Sequence, residues 1–312
     1  MASYTNLASL AGLQVGDVIT YNTDSEIDFK KYKVRIKLYG IGYDSNHGGG
    51  LTQFDFDTIN INSTFIFTKY FGTSLCYGTA KNSYKRIAVA GNAGFGETSG
   101  ASAICGKGGG TTGGNGSSET TSLGNYTAGG GGGGTQTSGG SRGSVPSSSS
   151  VTKRAGTAGS FGRNSKTIII SGIDYMDYEA AGWYSGGTGG YCSWNSRLAY
   201  GGNGGGSGFV IGNSTTTYPS GYMDNDNTLI SNLVSAISNV SLTQGGSDVY
   251  LGSSHNGTTL QSGYMTIEIL SLPPSTFPQY YSNGWHDTEW KVYDNGSWHD
   301  VEVKRYNGSS WE

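Results

Sequence analysis

The sequence predicts a mainly β protein: an antiparallel β-sheet framework carrying a glycine-rich bundle of polyglycine II helices, with one short α-helix and a C-terminal β-meander. Three observations carry that expectation. Residues 15–90 hold short runs of alternating apolar and polar side chains, 37 of the 55 glycines fall within residues 91–212, and residues 279–312 repeat an Asn-Gly hairpin signal.

The framework comes first along the chain. Stretches 15–21, 31–39, 54–61, 64–70 and 84–90 read as strands. The second alternates without a break, with Tyr32, Val34, Ile36 and Leu38 on one face and Lys31, Lys33, Arg35 and Lys37 on the other, as a half-buried strand requires. Beyond the glycines, residues 226–240 set Leu229, Ile230, Leu233, Val234 and Ile237 at helical spacing, and these are the predicted helix. Residues 247–251 and 263–270 then read as closing strands. Pro273 and Pro274, with Pro278 behind them, mark a boundary, because proline has no N–H for a ladder and restricts the residue before it. The expected organisation is an N-terminal segment at 1–29, a glycine-rich domain at 30–272 with its dense core at 91–212, a proline linker at 273–278, and aromatic repeats at 279–312.

A tract such as 128–134 has three readings: flexible linker, nucleotide-binding loop, or polyglycine II rods packed side by side. A linker is polar throughout, whereas these glycines are punctuated by Phe95, Ile104, Phe161, Trp183, Tyr184, Tyr191, Tyr200, Phe209 and Val210, side chains that ask for burial. The Gly-x-Gly-x-x-Gly spacing of Gly129, Gly131 and Gly134 lacks the βαβ context that gives it meaning. A polyglycine II rod has three residues per turn and no internal hydrogen bonds, so its N–H and C=O groups must find partners on neighbouring rods. Rods approach that closely only where Cβ is missing. Ordering the backbone costs about 1–2 kcal/mol per residue, so such a lattice needs many rods together.

The last segment repeats with a period of 12 to 13 residues: Tyr281-Ser-Asn-Gly-Trp285, then Tyr293-Asp-Asn-Gly-Ser-Trp298, then Tyr306-Asn-Gly-Ser-Ser-Trp311. Asn-Gly between aromatic and β-branched positions predicts hairpins, here about four strands of a small meander. Such a meander is marginal alone and leans on the main domain, a neighbouring subunit or a partner.

Composition excludes several classes. Charged residues are 13% of the chain and the formal net charge is -3, which argues against a nucleic-acid binder, since affinity for phosphate backbones comes from clustered Lys and Arg. No stretch approaches the roughly 18 apolar residues of a membrane span. The residues after Met1 lack the basic and apolar regions of a secretory signal, so export by that route is not expected. Cys76, Cys105 and Cys192 are odd in number and far apart, and read as buried thiols rather than as disulfide or zinc partners. No cofactor or metal is expected.

Chemical motifs are sparse. Gly139-Gly-Ser-Arg-Gly143 matches a nucleophile elbow in letters only, because its flanks are Gly/Ser-rich rather than strand and helix. Residues 224–227 lack the Gly and Glu of a calcium loop and read as a turn or helix cap. His286-Asp287 and His299-Asp300 recur at equivalent repeat positions, which points to strand patterning. Asp174, Asp177 and Glu179 form the one dense acidic cluster near the glycine unit, the place where a polysaccharide hydrolase would need its paired carboxylates. The chain reads as a non-enzyme.

Two resemblances follow from these motifs. Ala181-Gly-Trp-Tyr-Ser-Gly-Gly-Thr-Gly-Gly-Tyr191, followed by Ala199-Tyr-Gly-Gly-Asn-Gly-Gly-Gly-Ser-Gly-Phe-Val-Ile211, resembles the glycine-rich domains of anaplastic-lymphoma-kinase-type receptors and of many phage and bacterial surface proteins. Ile87-Ala-Val-Ala-Gly-Asn-Ala-Gly-Phe-Gly96 is similar to that family's strand entering the first glycine run, although Asn92, Ala93 and Asn203 stand where glycine is usual. The C-terminal Asn-Gly-Trp repeats are similar to those ending tail proteins of phages of Gram-positive hosts.

Together the resemblances imply a non-enzymatic phage or prophage tail fibre or tip adhesin, a virion component assembled in the host cytoplasm. Its implied partners are a host-surface glycan or protein and other tail proteins. The alternative is a structural decoration or assembly protein without receptor binding. Homo-oligomerisation is common among fibres, but no heptad argues for it here.

Linkers at 117–127, 135–154 and 193–198 interrupt the glycine runs. In a lattice of rods they emerge at the ends, as loop surfaces on a rigid base. Tyr126, Trp194, Tyr191 and Arg142 are the candidate ligand-binding residues there, with Trp285 and Trp298 in the repeats, because Tyr and Trp beside Ser, Gly and Asn make a low-entropy contact surface and stack on sugar rings. The competing reading is that each aromatic only caps a glycine layer.

Overall fold

A computed structural model describes residues 3–6, 13–42, 48–96, 104–122, 124–162, 168–170, 173–175, 177–178, 180–213, 217–245, 252–255, 258–261, 263–273, 277–281, 284–288, 291–294 and 297–300. The fold is mainly β with antiparallel sheets and one α-helix. Among the described residues no helix is long and apolar enough to cross a membrane.

The strand Lys33–Tyr39 forms as its alternation requires, with Val34, Ile36 and Leu38 fully buried. It lies in a five-stranded sheet ordered Ile237–Thr243, Leu51–Asp57, Lys33–Tyr39, Tyr264–Ser271 and Val18–Tyr21. A six-stranded sheet runs Ser3–Asn6, Ser25–Asp28, Thr64–Thr68, Thr73–Tyr77, Arg86–Ala90 and Phe209–Val210, antiparallel except for the first pair. The two sheets enclose one core, where Phe56 meets Phe65 edge to face at 5.4 Å and Phe29 touches both rings. Residues before position 30 share that core through Tyr21, Ile27 and Phe29.

The helix differs from its expected bounds. It spans Asn227–Ser235, and the Asp226 carboxylate caps it by accepting from the Leu229 N–H at 2.9 Å. Ile237 and Val240 belong instead to the strand Ile237–Thr243, which pairs with Leu51–Asp57. A sheet edge with unpaired backbone groups captures these β-branched residues, and local helical spacing loses to it. Ser3–Asn6, Ser25–Asp28 and Thr73–Tyr77 escaped the pattern, because none of them alternates apolar and polar residues along its length. Residues 247–251 lie outside the described residues.

The described residues of the glycine unit fold as eight hydrogen-bonded runs, at 91–94, 104–110, 111–117, 128–134, 139–144, 155–160, 185–190 and 201–208. Their bonds recur every third residue and join separate runs. Gly131 and Gly134 donate to Gly202 and Gly205 at 2.9 Å, Gly187 and Gly190 donate to Gly132 and Gly129, and Gly202 and Gly205 donate to Ser117 and Gly114. Three residues is the repeat a polyglycine II rod would impose. The eighth run bonds to five others, the first, second, third, fourth and seventh. Glycine is obligatory there: a Cβ on Gly205 would stand 1.9 Å from the Lys107 carbonyl oxygen.

Register fixes direction. Each run is antiparallel to the next in sequence, as at 129/144 with 132/141 and at 190/201 with 187/204. Successive connections therefore emerge at opposite ends of the bundle.

Candidate recognition face

One end of the bundle is closed by the core. The connection 135–138 docks through Gln136, whose Nε2 donates to the carbonyls of Thr111 and Gly208 and whose own carbonyl accepts from Trp183 Nε1 at 3.2 Å. Trp183 is fully buried, stacks on Phe209 at 3.6 Å and meets Phe161 edge-on at 4.8 Å. Behind them Arg86 is fully buried, and its guanidinium donates to the carbonyls of Ser83, Phe71, Gly182 and Trp183. The same group lies over the Phe161 and Trp183 rings. Burial lowers the Arg86 pKa to about 10. Trp183 is thus a core side chain that caps the lattice, the competing reading for that residue.

Among the described residues the other end meets none of the sandwich strands and carries the connections 118–122, 124–127, 145–154 and 191–200. They fold into a cap. Glu119–Thr120 pairs with Thr127–Ala128, and Thr152–Arg154, Tyr191–Trp194 and Arg197–Tyr200 make a three-stranded sheet. The hairpin between the last two turns at Asn195 and Ser196, both with positive φ (47° and 59°), as a two-residue turn matched to strand twist demands.

Register and burial separate the two faces of this sheet. The inner face holds Cys192 and Ala199, which with Ala128 and Val151 form a small buried cluster; Tyr126 and Trp194 cover it, their rings at 5.6 Å and 66°. Burial raises the Cys192 thiol pKa, with the Glu119 charge adding to it. The Tyr126 hydroxyl bonds Ser150 Oγ at 3.3 Å, and hydrogen bonding with Ser150 and then Ser148 holds its pKa below the usual phenol value. Lys153 Nζ donates to the carbonyls of Pro146, Ser147 and Ser148, which pins the loop above the cluster.

The outer face is different in kind. Arg154, Tyr191 and Tyr200 stand in register across the three strands, with Thr152, Ser193 and Leu198 in the next row. None of the six is buried, and Leu198 is 46% exposed. The Tyr191 and Tyr200 rings lie 5.0 Å apart at 39°. Ile104 begins the second run at this same end and is 56% exposed among the described residues, contrary to the burial its bulk predicted.

The sequence candidates therefore divide. Tyr126, Trp194 and Tyr191 all reach the cap, but Tyr191 faces away from the other two. Arg142 lies exposed in the fifth run, three residues before the cap connection 145–154. Trp285 stands opposite Tyr280 and Trp298 opposite Tyr293 in two hairpins, Phe277–Tyr281 with Gly284–Thr288 and Lys291–Asp294 with Ser297–Asp300. The side chains of those strands, and of Asp174, Asp177 and Glu179, lie outside the described residues. Sequence reasoning missed Arg154, Tyr200 and Leu198. The near-symmetry of Tyr191-Cys-Ser-Trp-Asn-Ser-Arg-Leu-Ala-Tyr200 about its turn could have found Tyr200. Comparison of the chain with protein-family models, with curated proteins and with solved structures finds no match.

Proposed function

We propose that this chain is a non-enzymatic tail fibre or tip adhesin of a phage or prophage, whose cap binds a host-surface glycan or protein. The glycine bundle, read as polyglycine II rods, is the rigid base of that cap. One observation carries the reading: the outer row of Arg154, Tyr191 and Tyr200 sits at the end of the lattice that the sandwich leaves free. Aromatic rings held by a sheet, beside Thr and Ser hydroxyls, give a stacking platform that costs little entropy on binding. The aromatic Asn-Gly-Trp repeats at 279–312 attach it to other tail proteins or contribute to binding.

The test is saturable binding of the labelled full chain to a panel of Gram-positive cell walls. Binding that saturates in the parent and is lost in the Tyr191→Ser/Tyr200→Ser double variant is the expected result. A parent that binds no cell wall, or a double variant that binds as well as the parent, removes the reading. The structural-decoration alternative predicts no cell-wall binding and loss of particle incorporation on deletion of 279–312.

A further inference from the structure

The seventh run is seated against the fourth and fifth by a rule that can be followed bond by bond. Gly187 and Gly190 donate to the carbonyls of Gly132 and Gly129 in the fourth run, at 2.9 and 2.8 Å. In return the carbonyls of Ser185 and Thr188 accept from the Gly140 and Gly143 N–H groups of the fifth run, at 3.0 and 2.8 Å. The seat thus joins an acceptor row on one run to a donor row on the other, both with a three-residue period. It also demands glycine, because a Cβ on Gly187 or Gly190 would stand 2.1 or 2.2 Å from the carbonyl oxygen of Ser141 or Ser144.

The same two runs repeat this arrangement on their outer side. With a three-residue repeat, successive carbonyls point three ways. In the fourth run those of Gly129 and Gly132 go to the seventh run, and those of Gly131 and Gly134 go to the third. The carbonyls of Gly130 and Gly133 take the remaining direction and accept no hydrogen bond among the described residues. Gly133 is nonetheless buried, and a buried carbonyl without a donor is rare. In the fifth run Ser141 and Ser144 are exposed, and their N–H groups have no acceptor among the described residues. Both nitrogens lie 2.9 Å from where a Cβ on Gly132 or Gly129 would stand, so they face the fourth run. Elsewhere the bundle finishes such outward groups with its own side chains. Asn115 Oδ1 takes the Gly133 N–H at 2.9 Å, and the hydroxyls of Thr188 and Ser185 take the N–H groups of Thr157 and Ser160. The trough between the fourth and fifth runs lacks that finish.

We infer that this trough binds a ninth rod: a glycine-rich segment of another protein, extended with three residues per turn and carrying glycine at every third position or more often. Its N–H groups donate to Gly130 and Gly133, and its carbonyls accept from Ser141 and Ser144. The period selects the ligand class. Equivalent groups on such a rod recur at about 9.3 Å, which neither the ~6.7 Å two-residue repeat of a strand nor the roughly 5.4 Å pitch of an α-helix matches. The inference rests on the bonding of the runs and not on the recognition reading of the cap.

The experiment is amide hydrogen exchange of the full chain, alone and with a blocked peptide of Gly-Gly-Ser repeats, with affinity measured by titration and a peptide of Ala-Ala-Ser repeats as control. In the free protein Ser141 and Ser144 should exchange fast while Gly140 and Gly143 exchange slowly. Saturating Gly-Gly-Ser peptide should slow Ser141 and Ser144 at least about tenfold, and the alanine peptide should not bind. Ser141→Pro/Ser144→Pro removes both donors, keeps the backbone angle of the rod and spares the bundle, which uses only the carbonyls of these residues. Its affinity for the peptide should fall about tenfold, while Ser141→Ala/Ser144→Ala, which keeps both N–H groups, binds as the parent does. If the proline pair melts lower than the parent, the exchange result on the parent decides. Unchanged exchange at Ser141 and Ser144, equal binding of the alanine peptide, or a fully stable proline pair that binds like the parent overturns the inference. So does protection of the two amides that grows with protein concentration in the absence of peptide, which would make the occupant a second copy of this chain.

Discussion

Arg86 joins the two halves of the molecule with a charge that has no carboxylate partner in its hydrogen bonds. Four carbonyls, two aromatic faces and the Tyr222 hydroxyl on its own carbonyl hold it in place. Arg86→Met keeps the apolar stem but strips the donors, leaving buried carbonyls bare. We expect a loss of about 3 kcal/mol or more in urea denaturation, since each such group costs about 1–3 kcal/mol; a variant as stable as the parent would sink this account. Alkali probes the same region. Burial raises the Tyr222 pKa well above its usual value, and burial followed by the Tyr39 charge pushes Tyr264 up to about 12. A phenol whose pKa rises on folding supports the fold fully below about 10, its unfolded value, and that support is lost as pH climbs through the raised value. Arg86 has the opposite sign, because its lowered pKa lets the folded state shed the proton first. The phenols outnumber it, so stability should fall from pH 10 towards 12, and Tyr264→Phe should shift that fall upward in a pH-dependent melting series. At this scale the sequence was partly legible. Trp194 and Tyr126 stood out as aromatics in polar linkers, whereas Arg154 acquires its place only through pairing with a strand almost forty positions away.

Elements of the lattice are specified by what is missing from their side chains. Gly204→Ala would put a Cβ at 2.0 Å from the Gly132 carbonyl oxygen, backbone that has nowhere to retreat. We expect at least about 3 kcal/mol of destabilisation, beyond ordinary overpacking. Gly124→Ala is the control, because nothing lies within 4 Å there and only its φ of +71° opposes the change. It should cost about 1–2 kcal/mol. Equal melting temperatures for the two variants would contradict close packing of the runs. Strand Lys33–Tyr39 was readable because both faces keep strict alternation, and the glycine unit because of its density. The end of the helix was not, since Ile237 and Val240 suit either spacing until the free edge of Leu51–Asp57 is known.

At the scale of the whole molecule, and among the described residues, a sandwich grips one end of the bundle and a small β cap covers the other. If the runs are locked together, amides in 128–134 and 201–208 should exchange as slowly as those in the two sheets; exchange as fast as in a denatured chain would dissolve the base of the cap. Cys76, Cys105 and Cys192 are buried, and burial pushes the Cys76 thiol up to about 11. Alkylation at neutral pH should therefore label all three only in denaturant. Because neighbouring runs reverse direction, each cap loop leaves and re-enters the bundle at the same end. Lengthening or replacing the stretch 145–154 then shifts no rod against another. If the cap binds as proposed, a lineage can rewrite these loops one at a time while inheriting the bundle intact, much as an antibody varies its tips on a constant frame.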